Sequence, residues 1–569
     1  MRRLMIAAVL AFAILVTLAP PGFAQAPAPK VTISGLFDQI TGAGRNVFDG
    51  NLTRNSDTEW YARTRFRPDF EFAVGRVRAV LGIEIDLAYG QMGSNDGGFP
   101  GNVSGSAGGF GQGTNGATPP GCKVNTNGCL DINTDVGGMF EVKWIYTEFP
   151  LTGKDSLLPF IPVETMARAG GQPFDTLAQY KLAQYANGDF AGISAVTTFT
   201  PDLKSNLAWV IIEDQLAGSN RGLPAVKTGR GEDSALIASV DITPTKGLDL
   251  KPLFSWIHTD GQTNGALRRN LVNPNSAGGS INSTTSLSAA GSLAGDPTYH
   301  EDRYTVGADA RWRLGSFGLD PTFYYQFGHA VTNAVDTAPG STGFTHRKSA
   351  DISAFLLDVI ASYQLGPLLL EGRGVYSSGN KARANLATTR HHYQPLDTDG
   401  NYFAGGWTHF WASSPVDYFS TGWAATGNFV GYDRYGRVGA AFRATYSFTP
   451  ALSLQGLVHA LWTAEAVDTD TGVALGSGTG TAIRTVVSPK SFVQGDSNYL
   501  GTELAMLLTW RFSANTSFDA NLAYLFAGDA LDAAECPGQL AGTTCSAAVA
   551  RKKSAQDGWL AGARVRLAF

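Results

Sequence analysis

Two aspartate-rich stretches, DTDGN at 397–401 and DTDTG at 468–472, have the spacing that opens a calcium-binding loop. Such a loop closes on a bidentate Glu at its twelfth position, and Thr408 and Thr479 stand there instead. Adjacent imidazoles at His391 and His392 could take a transition metal, but neighbouring residues on an exposed loop more often bind nothing. The chain has no G-x-S-x-G, H-E-x-x-H, Walker A or C-x-x-C-H stretch. His459 is the one histidine readily placed on the polar face of a strand, and it has no evident partner in the sequence. The reading is therefore no enzyme, no cofactor and no metal.

The cysteines form two local pairs in polar, Gly-rich segments: Cys122 and Cys129 in GCKVNTNGCL, Cys536 and Cys545 in ECPGQLAGTTCS. Neither spacing suits zinc and no His lies beside them, so two small disulfides, Cys122–Cys129 and Cys536–Cys545, are expected of an exported chain. Export is read from the first residues. MRR, the apolar run LMIAAVLAFAILVTLA and the small-residue exit PPGFAQAPAPK make a signal peptide over 1–24, cleaved after Ala24 or Ala26. The apolar run is shorter than the ~20 residues a spanning helix needs. With charged residues at 16% against a usual ~25%, 68 Gly and 11% aromatics, the composition is not that of an ordinary soluble domain. A net charge of −5 suggests no nucleic-acid partner.

Arginine is the remaining chemical signal, and it recurs at period two. In GWLAGARVRLAF, 558–569, Arg564 and Arg566 oppose Trp559, Val565, Leu567 and Phe569. In the stretch from Asp57 to Gly90, Arg63, Arg65 and Arg67 oppose Trp60 and Phe66, and Arg78, Glu84 and Asp86 oppose Val77, Leu81, Ile83 and Ile85. Alternation of this kind is a strand with one apolar face. Strand, tight turn, strand, long loop then repeats along the chain, with turns at 201–204, 244–247, 315–318, 366–367, 449–451 and 513–515, each carrying Gly, Pro, Asn or Asp. The predicted fold is all-β: one transmembrane antiparallel β-barrel over 25–569, with 18 strands. The count is 16 if a pair within 155–190 is absent, where PVETMARAGGQPF reads as a strand and TLAQYKLAQYAN as a short helix or inward-folded loop.

A barrel this wide cannot be filled by side chains, so its interior is wet and its apolar faces meet lipid. The polar faces then line the lumen. They carry Arg63, Arg65, Arg67, Arg78, Arg303, Arg311, Arg313, Arg373, Arg437, Arg443, Arg511, Arg564 and Arg566, with Lys143 and Lys251. The inward acids are read as fewer: Glu59, Glu84, Asp86, Glu141, Asp249, Asp309, Asp358, Glu371, Glu503 and Asp519. Two outcomes stay open. A basic excess attracts anions into a pore, or each arginine pairs with an acid and stiffens the wall. The segment Pro173–Asp189 is the one expected to fold inward.

A signal peptide, hairpins with short turns and long loops, and a last alternating strand ending on Phe569 resemble the bacterial outer-membrane porin superfamily. The resemblance is architectural and covers nearly all of the mature chain. It implies short periplasmic turns, long extracellular loops, the cell outer membrane as location, and a role for Trp559, Val565, Leu567 and Phe569 as the signal read by the assembly machinery. Implied partners are outer-membrane lipid, lipopolysaccharide and small hydrophilic solutes, anions among them; a homotrimer is left open. The function expected is passive diffusion of small hydrophilic solutes, with an arginine-rich lumen favouring anions. The alternative is a substrate-dedicated outer-membrane channel or exporter, alginate-export-like, for an acidic polysaccharide or another specific solute. RAGGQPF at 168–174 resembles a stretch of the alginate-export family, except that Gly171 stands where that family has arginine.

Overall fold

The computed structural model describes residues 28–46, 58–88, 137–175, 185–213, 233–260, 299–335, 345–381, 384, 389–398, 403, 406–411, 434–467, 473–475, 483–485, 495–535 and 551–569. The expected signal peptide and all four cysteines lie outside these residues. Within them, 18 long strands pair antiparallel, each with the next. They are β1 Lys30–Arg45, β2 Thr58–Val74, β3 Val77–Ala88, β4 Gly137–Thr152, β5 Glu164–Asp175, β6 Ala186–Thr200, β7 Leu203–Glu213, β8 Asp233–Thr245 and β9 Leu248–Asp260. The second half comprises β10 Tyr299–Leu314, β11 Phe317–Val335, β12 Thr345–Leu365, β13 Leu368–Ser377, β14 Arg437–Thr449, β15 Leu452–Val467, β16 Ser497–Ser513, β17 Thr516–Ala527 and β18 Gly558–Ala568.

The sheet closes because β18 pairs with β1 from Leu36↔Ala568 to Arg45↔Trp559. Phe569 extends the seam, its N–H donating to the Gly35 carbonyl at 3.0 Å. Closure leaves no lateral edge, as a barrel surrounded by lipid requires. Within the uncertain region β5 and β6 are both present, so the count is 18 rather than 16, and of TLAQYKLAQYAN the described Ala186–Asn187 belong to a strand. Tight turns on one side are two-residue connections. Those between β2 and β3, β10 and β11, and β12 and β13 open on Gly75, Gly315 and Gly366, with φ of 59°, 59° and 56°. A residue with Cβ is disfavoured there, so these glycines fix the hairpin register.

Side chains alternate as period two demands. On β16, Leu504, Met506, Trp510 and Phe512 are exposed outward while Glu503 and Ala505 are buried inward. On β17, Leu522, Tyr524 and Phe526 oppose Asn521, Ala523 and Leu525. The outward band is apolar all round, with aromatic neighbours such as Trp510–Phe512 and Tyr446–Phe448 at the turn side and Trp256–Tyr304 toward the loop side. This is the surface of an outer-membrane-type barrel.

The interior is divided. Toward the tight turns it is lined by paired charges. Toward the long loops it is packed with Tyr185, Tyr393, Phe403, Trp407, Phe410 and Trp411 against Leu457, Leu461, Leu500 and Leu525. Five of those aromatics, all but Tyr185, come from the long connection between β13 and β14.

Candidate functional site

On the inner face of β2 and β3 the arginines and acids interlock. Arg65 Nε lies 2.9 Å from Asp86 Oδ1 and its Nη2 3.0 Å from Glu84 Oε1. Arg67 Nε meets Glu84 Oε2 at 2.9 Å, and Arg63 Nη1 meets Asp86 Oδ2 at 3.4 Å. Three guanidiniums thus share two carboxylates. The arrangement follows from register: Arg65 lies opposite Asp86 on β3, and inward residues recur every second position. On the last strand, Arg564 pairs with Asp519 of β17 at 2.7 Å, and Arg566 reaches across the seam to Asp38 of β1 at 2.6 Å. Glu148 on β4 joins Arg78 and Arg168, each at 2.8 Å.

Further round the wall, Arg373 binds Asp358 at 2.8 Å, fully covered, and Arg443 chelates Glu371, with Nη2 at 2.9 Å from Oε1. Arg313 forks onto Asp320 near a tight turn, its Nη2 2.8 Å from Oδ2. Arg311, on the same face of β10, is half-buried opposite Asp249, and Arg511 is exposed at the turn end of β16. Arg437 is buried where β14 begins.

Several of these acids were not among those read from the sequence: Asp38, Glu148, Asp241, Glu301 and Asp320. Asp241 meets Lys251 at 2.9 Å, and Glu301 holds both Arg303 and Arg390. The basic excess inferred from alternation alone is therefore overstated. What survives is a difference in depth. Arg67 leaves 31% of its side chain accessible and Glu84 8%; Arg566 leaves 33% and Asp38 2%. Carboxylates lie against the wall and guanidiniums stand in front of them. Trp144, whose ring covers Gly82, and Tyr146 share this inner face; Arg67 lies 5.9 Å and Arg168 4.5 Å from their respective ring centres.

The second part of the site is the β13–β14 connection. Most of its described residues are buried against the inner wall, while Lys381 and His391 are exposed. Glu503 on β16 accepts from the backbone N–H of His409 at 2.6 Å and of Phe410 at 2.8 Å, and from the Thr408 hydroxyl. His459 lies opposite Glu503 in register, with Nδ1 3.8 Å from the same carboxylate, a neighbour that the sequence did not reveal. Arg443 stacks on Trp407 at 4.0 Å, and the Phe403 ring occupies the space beside Gly439 that a Cβ would fill.

At its other contact, Gln394 donates its backbone N–H to Gln326 at 3.0 Å, and Arg390 Nη1 reaches Glu301 at 2.9 Å. Short parallel pairings tie Thr389–Arg390 to β12 and Asp397–Thr398 to β6. One connection therefore grips the wall from β6 to β16. Asp397 and Thr398, candidates for a calcium loop, serve as this pairing; the rest of DTDGN and all of DTDTG lie outside the described residues.

His391 donates from Nδ1 to the Ser353 carbonyl at 3.0 Å, and His392 from Nδ1 to Asn380 Oδ1 at 2.8 Å. Burial, followed by the nearby positive charge of Arg390, Arg303 and Arg434, holds the His392 imidazole well below its ordinary pKa. Burial likewise lowers His409. In the segment expected to fold inward, Tyr185 is fully buried and donates to Ser255 at 2.6 Å; Pro173–Asp175 and Ala186–Asp189 belong to β5 and β6, and 176–184 lie outside the described residues.

Compared with known proteins, the chain matches no protein-family profile and no curated sequence. Solved structures do align along it. They include Acinetobacter baumannii OccAB1, at 11% identity over 95% of this chain and 97% of that one, with a TM-score of 0.43. A BenF-like porin from Pseudomonas fluorescens Pf-5 aligns at 9% identity over 95% and 98%, with a TM-score of 0.43. Pseudomonas aeruginosa OccK8 (OprE) aligns at 10% identity over 94% and 98%, with a TM-score of 0.42.

Proposed function

We propose that this barrel is a water-filled outer-membrane channel through which small hydrophilic solutes diffuse, with a wall that favours anions. The observation that carries the reading is the layering of the inner face, in which accessible guanidiniums of Arg65, Arg67, Arg78, Arg168 and Arg566 stand in front of more covered carboxylates. A passing anion meets charge-assisted donors first, while the acids behind keep the net field small. Arginine keeps its charge in either surrounding. The channel, rather than an enzyme, is the function that such a lined wall serves.

A second reading, a substrate-dedicated channel or exporter, is favoured by the β13–β14 connection. A segment anchored by Glu503, Glu301 and Gln326 narrows the lumen and adds shaped contacts to it. Single-channel recording in planar bilayers separates the two. A steady open current that scales with bulk conductivity supports the diffusion channel. A small current that one solute class blocks at low concentration supports the dedicated one. The acidic-polysaccharide variant of that reading receives little support from RAGGQPF, because Gln172 is fully engaged in the wall, accepting from Ser194 at 2.7 Å.

A further inference from the structure

We propose that the outer surface of this barrel carries a binding site for a divalent transition-metal ion, zinc being the best fit, formed by His258, His300, Asp302 and His329. These residues come from three adjacent strands. Asp302 on β10 lies opposite His258 on β9 and opposite His329 on β11, and His300 is two positions away on the same face of β10. All four point outward, because their same-face neighbours Trp256, Tyr304 and Phe327 form a stacked aromatic row on the lipid side, with ring centres 6.4 and 5.4 Å apart. The cluster lies beyond that row on the long-loop side, at the level of the polar headgroups rather than the hydrocarbon.

The geometry converges on one carboxylate. His258 Nδ1 is 2.9 Å from Asp302 Oδ1, His300 Nε2 is 3.0 Å from Oδ2, and His329 Nε2 is 3.9 Å from Oδ2. The ligand atoms of His258, His300 and Asp302 all lie within 4.8 Å of one another. An ion with bonds of about 2.0–2.1 Å to nitrogen and oxygen needs such atoms roughly 3.3 Å apart, so small side-chain rotations suffice. Imidazole with carboxylate selects zinc, nickel or copper over magnesium and calcium, which prefer oxygen.

Trp256 Nε1 donates to Asp302 Oδ1 at 2.9 Å, the kind of outer hydrogen bond that orients a ligating carboxylate. Hydrogen bonding to its two oxygens accounts for two imidazoles on Asp302, those of His258 and His300. It does not explain three histidines, of only eight in the chain, meeting at one register level on a face that is otherwise apolar. Bound there, an ion would staple β9, β10 and β11 where the barrel leaves the membrane.

The test is calorimetric titration of the untagged, detergent-folded barrel with Zn²⁺, with Mg²⁺ and Ca²⁺ as competitors. The site predicts one zinc per chain that the competitors do not displace. His258→Ala with His300→Ala should weaken binding at least about tenfold, whereas His391→Ala with His392→Ala should leave it unchanged. Heat-modifiable migration on gels reports folding. If the double variant does not fold, Asp302→Asn is scored by the same criterion. Parent barrel that takes up no zinc, or folded variants that bind it as tightly as the parent, would overturn the proposal.

Discussion

The Arg566 guanidinium donates to both oxygens of Asp38, Nε to Oδ1 at 2.7 Å and Nη2 to Oδ2 at 2.6 Å, and ties the last strand of the barrel to the first. Register makes them direct neighbours. Their unequal exposure makes the pair asymmetric. Losing the carboxylate leaves a cation that water still reaches; losing the arginine leaves a covered anion.

Arg566→Gln should therefore cost more than Asp38→Asn. Stranding a buried charge costs about 3 kcal/mol or more, whereas the half-exposed arginine left by Asp38→Asn costs nearer 1 kcal/mol. The midpoint of heat-modifiable migration for the two variants measures the order. Equal midpoints would mean that the seam is held by backbone pairing alone.

The inward connection gives a second prediction. Glu503 accepts three hydrogen bonds from Thr408, His409 and Phe410. Glu503→Ala should weaken seating by about 2–4 kcal/mol at ~1.5–3 kcal/mol per charged bond, less what water restores. Gly439→Val should do the same from the other side, since its side chain collides with the Phe403 ring. Both variants should show a larger single-channel conductance than the parent. Unchanged conductance in folded variants would place the connection away from the conducting path.

Acid should loosen the same connection. The imidazoles of His392 and His409 have lowered pKa values when seated, and ordinary ones near 6.5 when released. Above about 6.5 neither state binds the proton and seating is at full strength. As pH falls below that value only the released state is protonated, and seating weakens by up to about 1.4 kcal/mol per unit for each His. Conductance recorded from pH 7.5 to 5 should rise, and His392→Gln should flatten the rise. A conductance that falls on acidification contradicts this assignment.

The cysteine pairs offer a prediction independent of the lumen. Cys122 should bond Cys129, and Cys536 should bond Cys545. Non-reducing peptide mapping reads the pairing directly, and crossed linkages or free thiols would count against it.

Much of the barrel was legible in the sequence because its rules are local. Alternation in 558–569 and glycine at the tight turns are properties of neighbouring residues, and the strands built on them stand where expected. Long-range partners were not legible. Asp38 lies on a Gly-interrupted strand, VTISGLFDQITGAGR, and its partner is the last strand of the chain. Asp320 precedes Pro321 just after a turn and reads as turn chemistry, yet it forks with Arg313. His459 and Glu503 were each placed inward, but their pairing depends on register. The β13–β14 connection has no period to read. Its one signal was the aromatic run at Trp407, Phe410 and Trp411, too apolar for a segment left in water. The histidine and aspartate cluster outside β9–β11 was illegible for the same reason as the salt bridges, since three strands must align before the four residues meet.

The central claim is that arginines at the front of the inner wall select anions. The zero-current potential across a planar bilayer in a salt gradient measures it most directly. Parent barrel should reverse on the anion-selective side. Replacing Arg65, Arg67 and Arg566 with Gln uncovers Glu84, Asp86 and Asp38, and should move the potential toward cation selectivity. The effect should be larger in dilute salt, where the Debye length grows from about 8 Å to about 30 Å. A reversal potential that stays in place in folded triple variant, at low as at high salt, would contradict the account and leave these arginines as braces of the wall.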